Sequence, residues 1–311
     1  MVKVGLFGAG YLGKTHIDNW QKIQEATLTG FYEPNDETAK EITDTYNLRR
    51  FYNEDELIDS CDAIDVVSPI PLHFAICEKA IRKGKHVFVE KPITHTVAEA
   101  QQLVKLVQES NVKLQVGHKE QFNPAFLAAK EHAHNPLLIE AYRLESPRPD
   151  APNVNIIMDL MIHDINAILS IVNSDVKHIS ANGVSVLSET PDIANVRIEF
   201  YNGCTATLTS SRIAKRDRHT MHLFQKDAHI EIDFLHQSAE RFTTKGVEAI
   251  YEAGKANLQQ PEINAIKTEL QAFLEAIENN AQPVINEIDG LRTLEVTHQI
   301  LQKINQNFSL T

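Results

Sequence analysis

Three short segments of this 311-residue chain combine residue types and spacing that can do chemistry. The first is Gly8-Ala9-Gly10-Tyr11-Leu12-Gly13, a GxGxxG that follows a strand predicted over Val2–Phe7 and opens a predicted helix. In that context the first glycine permits a tight turn and the second lets backbone amides approach a pyrophosphate. The third allows close helix–strand packing, and the helix N-terminus contributes partial positive charge. Gly8, Gly10, Tyr11, Leu12 and Gly13 are therefore expected to hold a dinucleotide. Glu33 stands 20 residues beyond Gly13, at the end of the second predicted strand. A carboxylate there accepts hydrogen bonds from a ribose diol and repels a 2′-phosphate, which predicts NAD rather than NADP.

The second segment, Glu90-Lys91-Pro92, closes the fifth predicted strand, Lys85–Val89. Ligands of doubly wound sheets sit beyond the carboxyl ends of the strands, so Lys91 is placed to act as acid or base. A surface Glu/Lys pair ending a strand would read the same way. The third segment is Asp159-Leu-Met-Ile-His163-Asp164, inside a helix predicted over about Asn155–Val172. Its four-residue spacing sets Asp159 and His163 on one face, where a carboxylate can orient an imidazole for proton exchange. A packed core histidine or a helix-surface ion pair is the alternative. No HExxH and no further histidine at fixed spacing supports a metal site. Ser68-Pro69, with His73 shortly after, closes the fourth strand and could line a cofactor ribose. Arg212, Lys215, Arg216 and Arg218 could hold an anionic group, although a solvated turn gives the same pattern.

The elements that position these segments change character along the chain. Through about residue 120, strands and helices alternate at the spacing of right-handed βαβ units, predicting an α/β fold with a doubly wound parallel sheet. Beyond a loop with Pro147, Pro149 and Pro152, long alternating stretches at Val176–Val186, Ala194–Tyr201, Thr205–Ile213, His219–Gln225 and His229–Phe234 predict an α+β domain. Its core would be a large, open, mostly antiparallel sheet, followed by helices over Ile263–Asn279 and Gly290–Asn305. The expected domains are residues 1–120 and 121–311, with the last helix packing back on the first domain. Thirty Lys and Arg against 42 Asp and Glu give a net charge of −12, which disfavours nucleic acid. No apolar run approaches the length that spans a bilayer. Cys61, Cys77 and Cys204 are scattered without a CxxC, and the N-terminus reads as a strand rather than a signal peptide. A cytoplasmic, reducing location is expected.

Taken together, the motifs resemble the glucose–fructose oxidoreductase / inositol dehydrogenase (Gfo/Idh/MocA) family of NAD(P)-dependent oxidoreductases. The likeness runs from Gly8–Gly13 through Glu33-Pro34, Ser68-Pro69, His73, Glu90-Lys91-Pro92 and Asp159–Asp164 to Pro283-Val284 and Asp289-Gly290-Leu291-Arg292. It implies an N-terminal Rossmann domain and a C-terminal domain whose open sheet forms a homodimer or homotetramer. It places catalysis on Lys91 and His163 with Asp159 as a third member, and adds Glu90 and Lys91 to the cofactor site. Gly117–Pro124 and Asp159–Ile165 further resemble the branch that oxidises the 3-hydroxyl of UDP-N-acetylglucosamine, with His118, Asn123, Arg212 and Arg218 as substrate-side candidates. That branch usually carries arginine where this chain has Gln121. An inositol or polyol dehydrogenase and a non-catalytic nucleotide-binding regulator are the alternatives.

Overall fold

The computed structural model describes residues 1–147, 155–252 and 264–308. Pro149, Pro152 and the expected helix start at Ile263 lie outside the described residues. The chain divides into two compact units, Met1–Lys119 with Asn264–Leu294, and Glu120–Ile263 with Glu295–Thr311.

In the first unit, short apolar runs become β1 (Val2–Phe7), β2 (Ala26–Tyr32), β3 (Arg50–Phe51), β4 (Ala63–Val66), β5 (His86–Glu90) and β6 (Leu114–Gly117). They form one parallel sheet in the order β3-β2-β1-β4-β5-β6, joined by α1 (Tyr11–Trp20), α2 (Asp36–Tyr46), α3 (Glu54–Asp59), α4 (His73–Arg82) and α5 (Val97–Gln108). Sequence order reverses between β1 and β4, and such a switch point opens a crevice at the strand ends. Local chemistry fixes the helix starts. Asn35 caps α2, and Thr96 with Glu99 forms a reciprocal capping box on α5.

The second unit begins with α6 (Pro124–Lys130) and β7 (Leu138–Leu144). The helix expected from Asn155 starts as a π-helical turn, Ile157–Met161, and continues as α7 (Ile162–Ile171). There follow β8 (Val176–Val184), β9 (Ile193–Phe200), β10 (Thr205–Ser211), β11 (Arg218–Phe224), β12 (His229–Asp233), β13 (Ser238–Thr243) and β14 (Gly246–Glu252). These strands make an eight-stranded sheet, β14-β13-β12-β11-β7-β10-β9-β8, antiparallel except where β7 meets β10. Alternate residues face the core: Ile139 and Ala141 on β7, Val196 and Ile198 on β9, Met221 and Leu223 on β11. They cluster with Phe126, Ile157, Ile165 and Ile168.

The chain then forms α8 (Ala265–Glu278) and α9 (Glu287–Phe308). Leu270, Phe273 and Leu274 of α8 are buried against Val4, Trp20 and Phe88. A single division at residue 120 therefore needs correction. Residues 264–294 complete the apolar core of the first unit, whereas Val296, Ile300 and Ile304 of α9 belong to the core of the second.

Candidate functional site

A cavity of about 580 Å³ opens at the switch point of the parallel sheet. Gly8, Gly10, Tyr11, Leu12, Gly13, Glu33, Ser68 and Pro69 all line it. Gly8 adopts φ +90°, a left-handed conformation that only glycine takes cheaply. A Cβ on Gly13 would overlap the Gly8 carbonyl oxygen, so α1 approaches β1 as closely as the motif requires. At Gly10 a Cβ would meet nothing within 4 Å, leaving the first amides of α1 open to an anion. Tyr11 is 90% exposed on the cavity wall. The Glu33 carboxylate is fixed at the cavity edge by the backbone amides of Ala9 (3.0 Å) and Asn35 (2.9 Å). These features fit a dinucleotide, with pyrophosphate at the helix start and a ribose near Glu33. Gly13→Ala is expected to weaken NAD binding about tenfold, or about 1.4 kcal/mol, in a thermal-shift titration.

The other cofactor candidates take different positions. His73 is buried, with Nδ1 2.9 Å from the Pro92 carbonyl and Nε2 2.8 Å from the Ser68 carbonyl. It ties the two loops together from behind the cavity, and burial lowers its pKa despite those carbonyls. Lys91 is half-buried at the end of β5, and its bond to Pro92 is cis. Glu90 does not line the cavity among the described residues. Its carboxylate turns inward, within 3.2 Å of His16 Nε2 and accepting the Lys91 amide at 3.1 Å. His118 directly follows β6, buried, with its backbone amide donating to the Glu269 side chain. Burial pushes its pKa down to about 3, leaving the ring neutral.

In the second unit, Asp159 lies in the π-helical turn and His163 in the first turn of α7. Such π segments interrupt the i→i−4 ladder and often occur at functional sites. Next to His163, Asp164 is buried and receives the Arg143 guanidinium through Nη2 (2.8 Å) and Nε (3.1 and 3.2 Å). Arg143 Nη1 also reaches Glu120 Oε1 at 3.0 Å. Burial works against the guanidinium charge, but the two carboxylates raise its pKa above the ordinary value. Asn123 is occupied at both ends of its amide. Oδ1 caps α6 by accepting from Ala125 N (3.0 Å), and Nδ2 donates to the Phe234 carbonyl (3.0 Å). Arg212 donates to Thr190 Oγ1 and the Pro191 carbonyl, and Arg218 donates to Thr220 Oγ1 and stacks over Tyr142. The expected anion-holding cluster is thus partly committed to its own sheet and loops.

His222, His229 and Glu231 are close enough to suggest metal ligation. However, Arg218 lies 3.4 Å from His222 Nε2 and can only donate. A neutral His222 ring then carries its proton on Nδ1, which faces His229 Nε2 at 3.2 Å. This is a hydrogen-bonded series and needs no metal to explain it.

Sequence reasoning missed His16, Asp65, Arg143 and Glu269. A signal for one of them was present, because Asp65 interrupts the apolar run Ala63-Ile64-Asp65-Val66-Val67. A charge inside a fully buried parallel strand calls for a partner.

The strand order and the glycine-lined cavity define a dinucleotide-binding protein of the Rossmann class. More narrowly, the chain belongs to the Gfo/Idh/MocA oxidoreductases. Residues 2–118 match the family's NAD-binding Rossmann fold and residues 144–233 its C-terminal domain. It is therefore an NAD-binding oxidoreductase, and its named relatives are dehydrogenases. UDP-N-acetylglucosamine 3-dehydrogenase of Acidithiobacillus ferrooxidans is 28% identical over 96% of both chains. A solved structure of that enzyme superposes with a TM-score of 0.91 over 97% of both chains, at 29% identity. Inositol 2-dehydrogenase of Rhizobium meliloti is 23% identical over 97% of both chains. Scyllo-inositol dehydrogenase of Lactobacillus casei, solved with NAD(H) and scyllo-inositol, shares the fold at TM-score 0.84 and 21% identity, over 99% of this chain and 98% of that one. Among the described residues, no helix is long and apolar enough to cross a membrane.

Proposed function

We propose that the protein moves a hydride reversibly between a secondary hydroxyl of a sugar nucleotide and nicotinamide. The leading substrate is UDP-N-acetylglucosamine, oxidised at its 3-hydroxyl. The observation that carries this reading is the full-length likeness to the Acidithiobacillus enzyme in both sequence and fold. NAD, when bound, supplies the hydride acceptor. The chain supplies position and proton handling, with Lys91 and His163 moving the hydroxyl proton and steadying the alkoxide, and Asp159 orienting the imidazole. Glu33 supports NAD over NADP, since its fixed carboxylate would repel a 2′-phosphate. Removing that charge with Glu33→Ala is expected to raise kcat/KM for NADP relative to NAD, as read by parallel cofactor titrations.

The face of the eight-stranded sheet away from its apolar core carries Tyr142, His222, Phe224, His229 and Phe242, each ring in contact with the next. That surface supports pairing with a second copy as a homodimer or homotetramer. Three free, buried thiols support a reducing, cytoplasmic location. An inositol or other polyol dehydrogenase is the second reading. Gln121 favours it, because this residue stands where the UDP-sugar branch has arginine and is bound instead to Asn166 (2.6 Å). The deciding assay is nicotinamide reduction with UDP-N-acetylglucosamine, free sugars and inositols. We expect kcat/KM for the UDP-sugar to exceed the others by at least about tenfold. A preference for inositol would overturn the substrate assignment and leave the dehydrogenase class intact.

A further inference from the structure

Behind the end of β5 lies a row of ionisable groups that the hydride chemistry leaves unexplained. His16 on α1 and Asp65 on β4 have no exposed surface. His16 Nδ1 is 2.8 Å from Asp65 Oδ2, which also accepts from Trp20 Nε1 at 2.7 Å. On the other side, His16 Nε2 is 3.2 Å from Glu90 Oε1, and Glu90 Oε2 accepts the Lys91 amide at 3.1 Å. The connection Asp65–His16–Glu90–Lys91 thus reaches from the buried centre of the sheet to its carboxyl edge. Gly117 makes room for it, since a Cβ there would come within 2.8 Å of Glu90 Oε1. Of the two carboxylates flanking the ring, Asp65 is hydrogen-bonded to Nδ1, whereas Glu90 stands at ion-pair distance from Nε2 without a formed hydrogen bond, so only a protonated ring is attracted to both.

We propose that His16 is a positioning residue: as an imidazolium held between Asp65 and Glu90, it fixes the Glu90 carboxylate and, through it, the placement of Lys91. This rests on the role given to Lys91 in the proposed function. The energetics agree with the geometry. Burial alone would lower the His16 pKa, but Asp65 and Glu90 hold it well above the ordinary imidazole value. Burial alone would raise that of Glu90, but His16, with Lys91, holds it below the usual carboxylate range. The other titratable groups facing the row are Glu269 and His118. Burial and the Glu90 charge push Glu269 on α8 well upward, and burial keeps His118 uncharged. Along the row itself, acidic and basic side chains alternate: Asp65, His16, Glu90 and Lys91. Without the imidazolium, burial would dominate at Glu90 and push its pKa upward, favouring the protonated acid.

The test is steady-state kinetics on the NAD-bound enzyme with His16→Gln and Glu90→Gln. His16→Gln is expected to lower kcat at pH 7 about tenfold, with NAD affinity changed less than about threefold. Its acid limb of kcat/KM should move up by about one pH unit or more, because Glu90 then protonates earlier. Glu90→Gln should show a similar loss at pH 7, and the double variant should be no worse than Glu90→Gln, since both act through one carboxylate. If the variants fail to fold, the ¹⁵N resonances of the His16 ring in the wild-type holoenzyme still decide. They should report an imidazolium at about pH 8, beyond the ordinary histidine range. A neutral ring there, or a His16→Gln enzyme with wild-type kcat and acid limb, would overturn the proposal. Lys91→Met separates the two readings. If Lys91→Met is inactive while His16→Gln behaves as wild type, only the positioning role fails. An active Lys91→Met enzyme removes both.

Discussion

Lys91→Met is expected to lower kcat about 10³-fold while leaving NAD affinity within a few-fold of wild type. The argument begins with place. Lys91 follows β5 at the carboxyl edge of a parallel sheet, where ligands of this fold bind. The proposed anchoring groups for the cofactor, the α1 glycines and Glu33, line the cavity elsewhere in the unit, so binding should survive the change. Methionine keeps the length and apolar stem of lysine while removing the ammonium and its proton. What disappears is proton transfer to or from the substrate oxygen, an effect commonly worth about 10² to 10⁴ in rate. Loss of a cation beside a developing alkoxide adds to it. Steady-state kinetics paired with an NAD titration would check both halves. A kcat within about tenfold of wild type would take Lys91 out of the chemistry.

The sequence made the first unit legible because its chemistry is local. A glycine turn between strand and helix, and an acid at the next strand end, are contiguous patterns with one physical use. In the structure those residues line a single cavity. Long-range pairing was much less visible. Strands β13 and β14 lack the alternation that marks a half-buried strand, because most of β14 is exposed and a bulge shifts the register at Ala239/Glu240. A helix over the region of α8 is predicted from sequence, but nothing in its periodicity says which apolar surface it covers. Asn123 enters the substrate side through the resemblance, which carries residue types without their hydrogen bonds. In this fold its amide also caps α6 and donates to the Phe234 carbonyl. His16 illustrates the same limit, since its two partners are 49 and 74 residues away.

Arg143 is the strongest case of a group that no sequence pattern announces. It occupies an inward position of β7, where alternation would place an apolar side chain. It is 3% exposed and binds Asp164 and Glu120 together. Arg143→Met roughly conserves bulk, so the expected loss is electrostatic. Two buried carboxylates would lose their shared cation, which should cost about 3–5 kcal/mol of stability. Calorimetry should show the transition of the second unit falling by about 10 °C. The pH dependence has a definite sign. Burial already raises the folded-state pKa of Asp164, and Arg143 offsets part of that; without Arg143 the rise is larger, so protonation favours the folded form. The deficit should therefore be largest near neutral pH and shrink on acidification. Arg143→Lys should recover only part of the loss, because an ammonium cannot reproduce the two-pronged contact with Asp164. The discriminating variant is Arg143→Met with Asp164→Asn, which removes one stranded charge at nearly constant shape. It should be more stable than Arg143→Met alone. If it is not, lost packing rather than uncompensated charge is what destabilises the single variant.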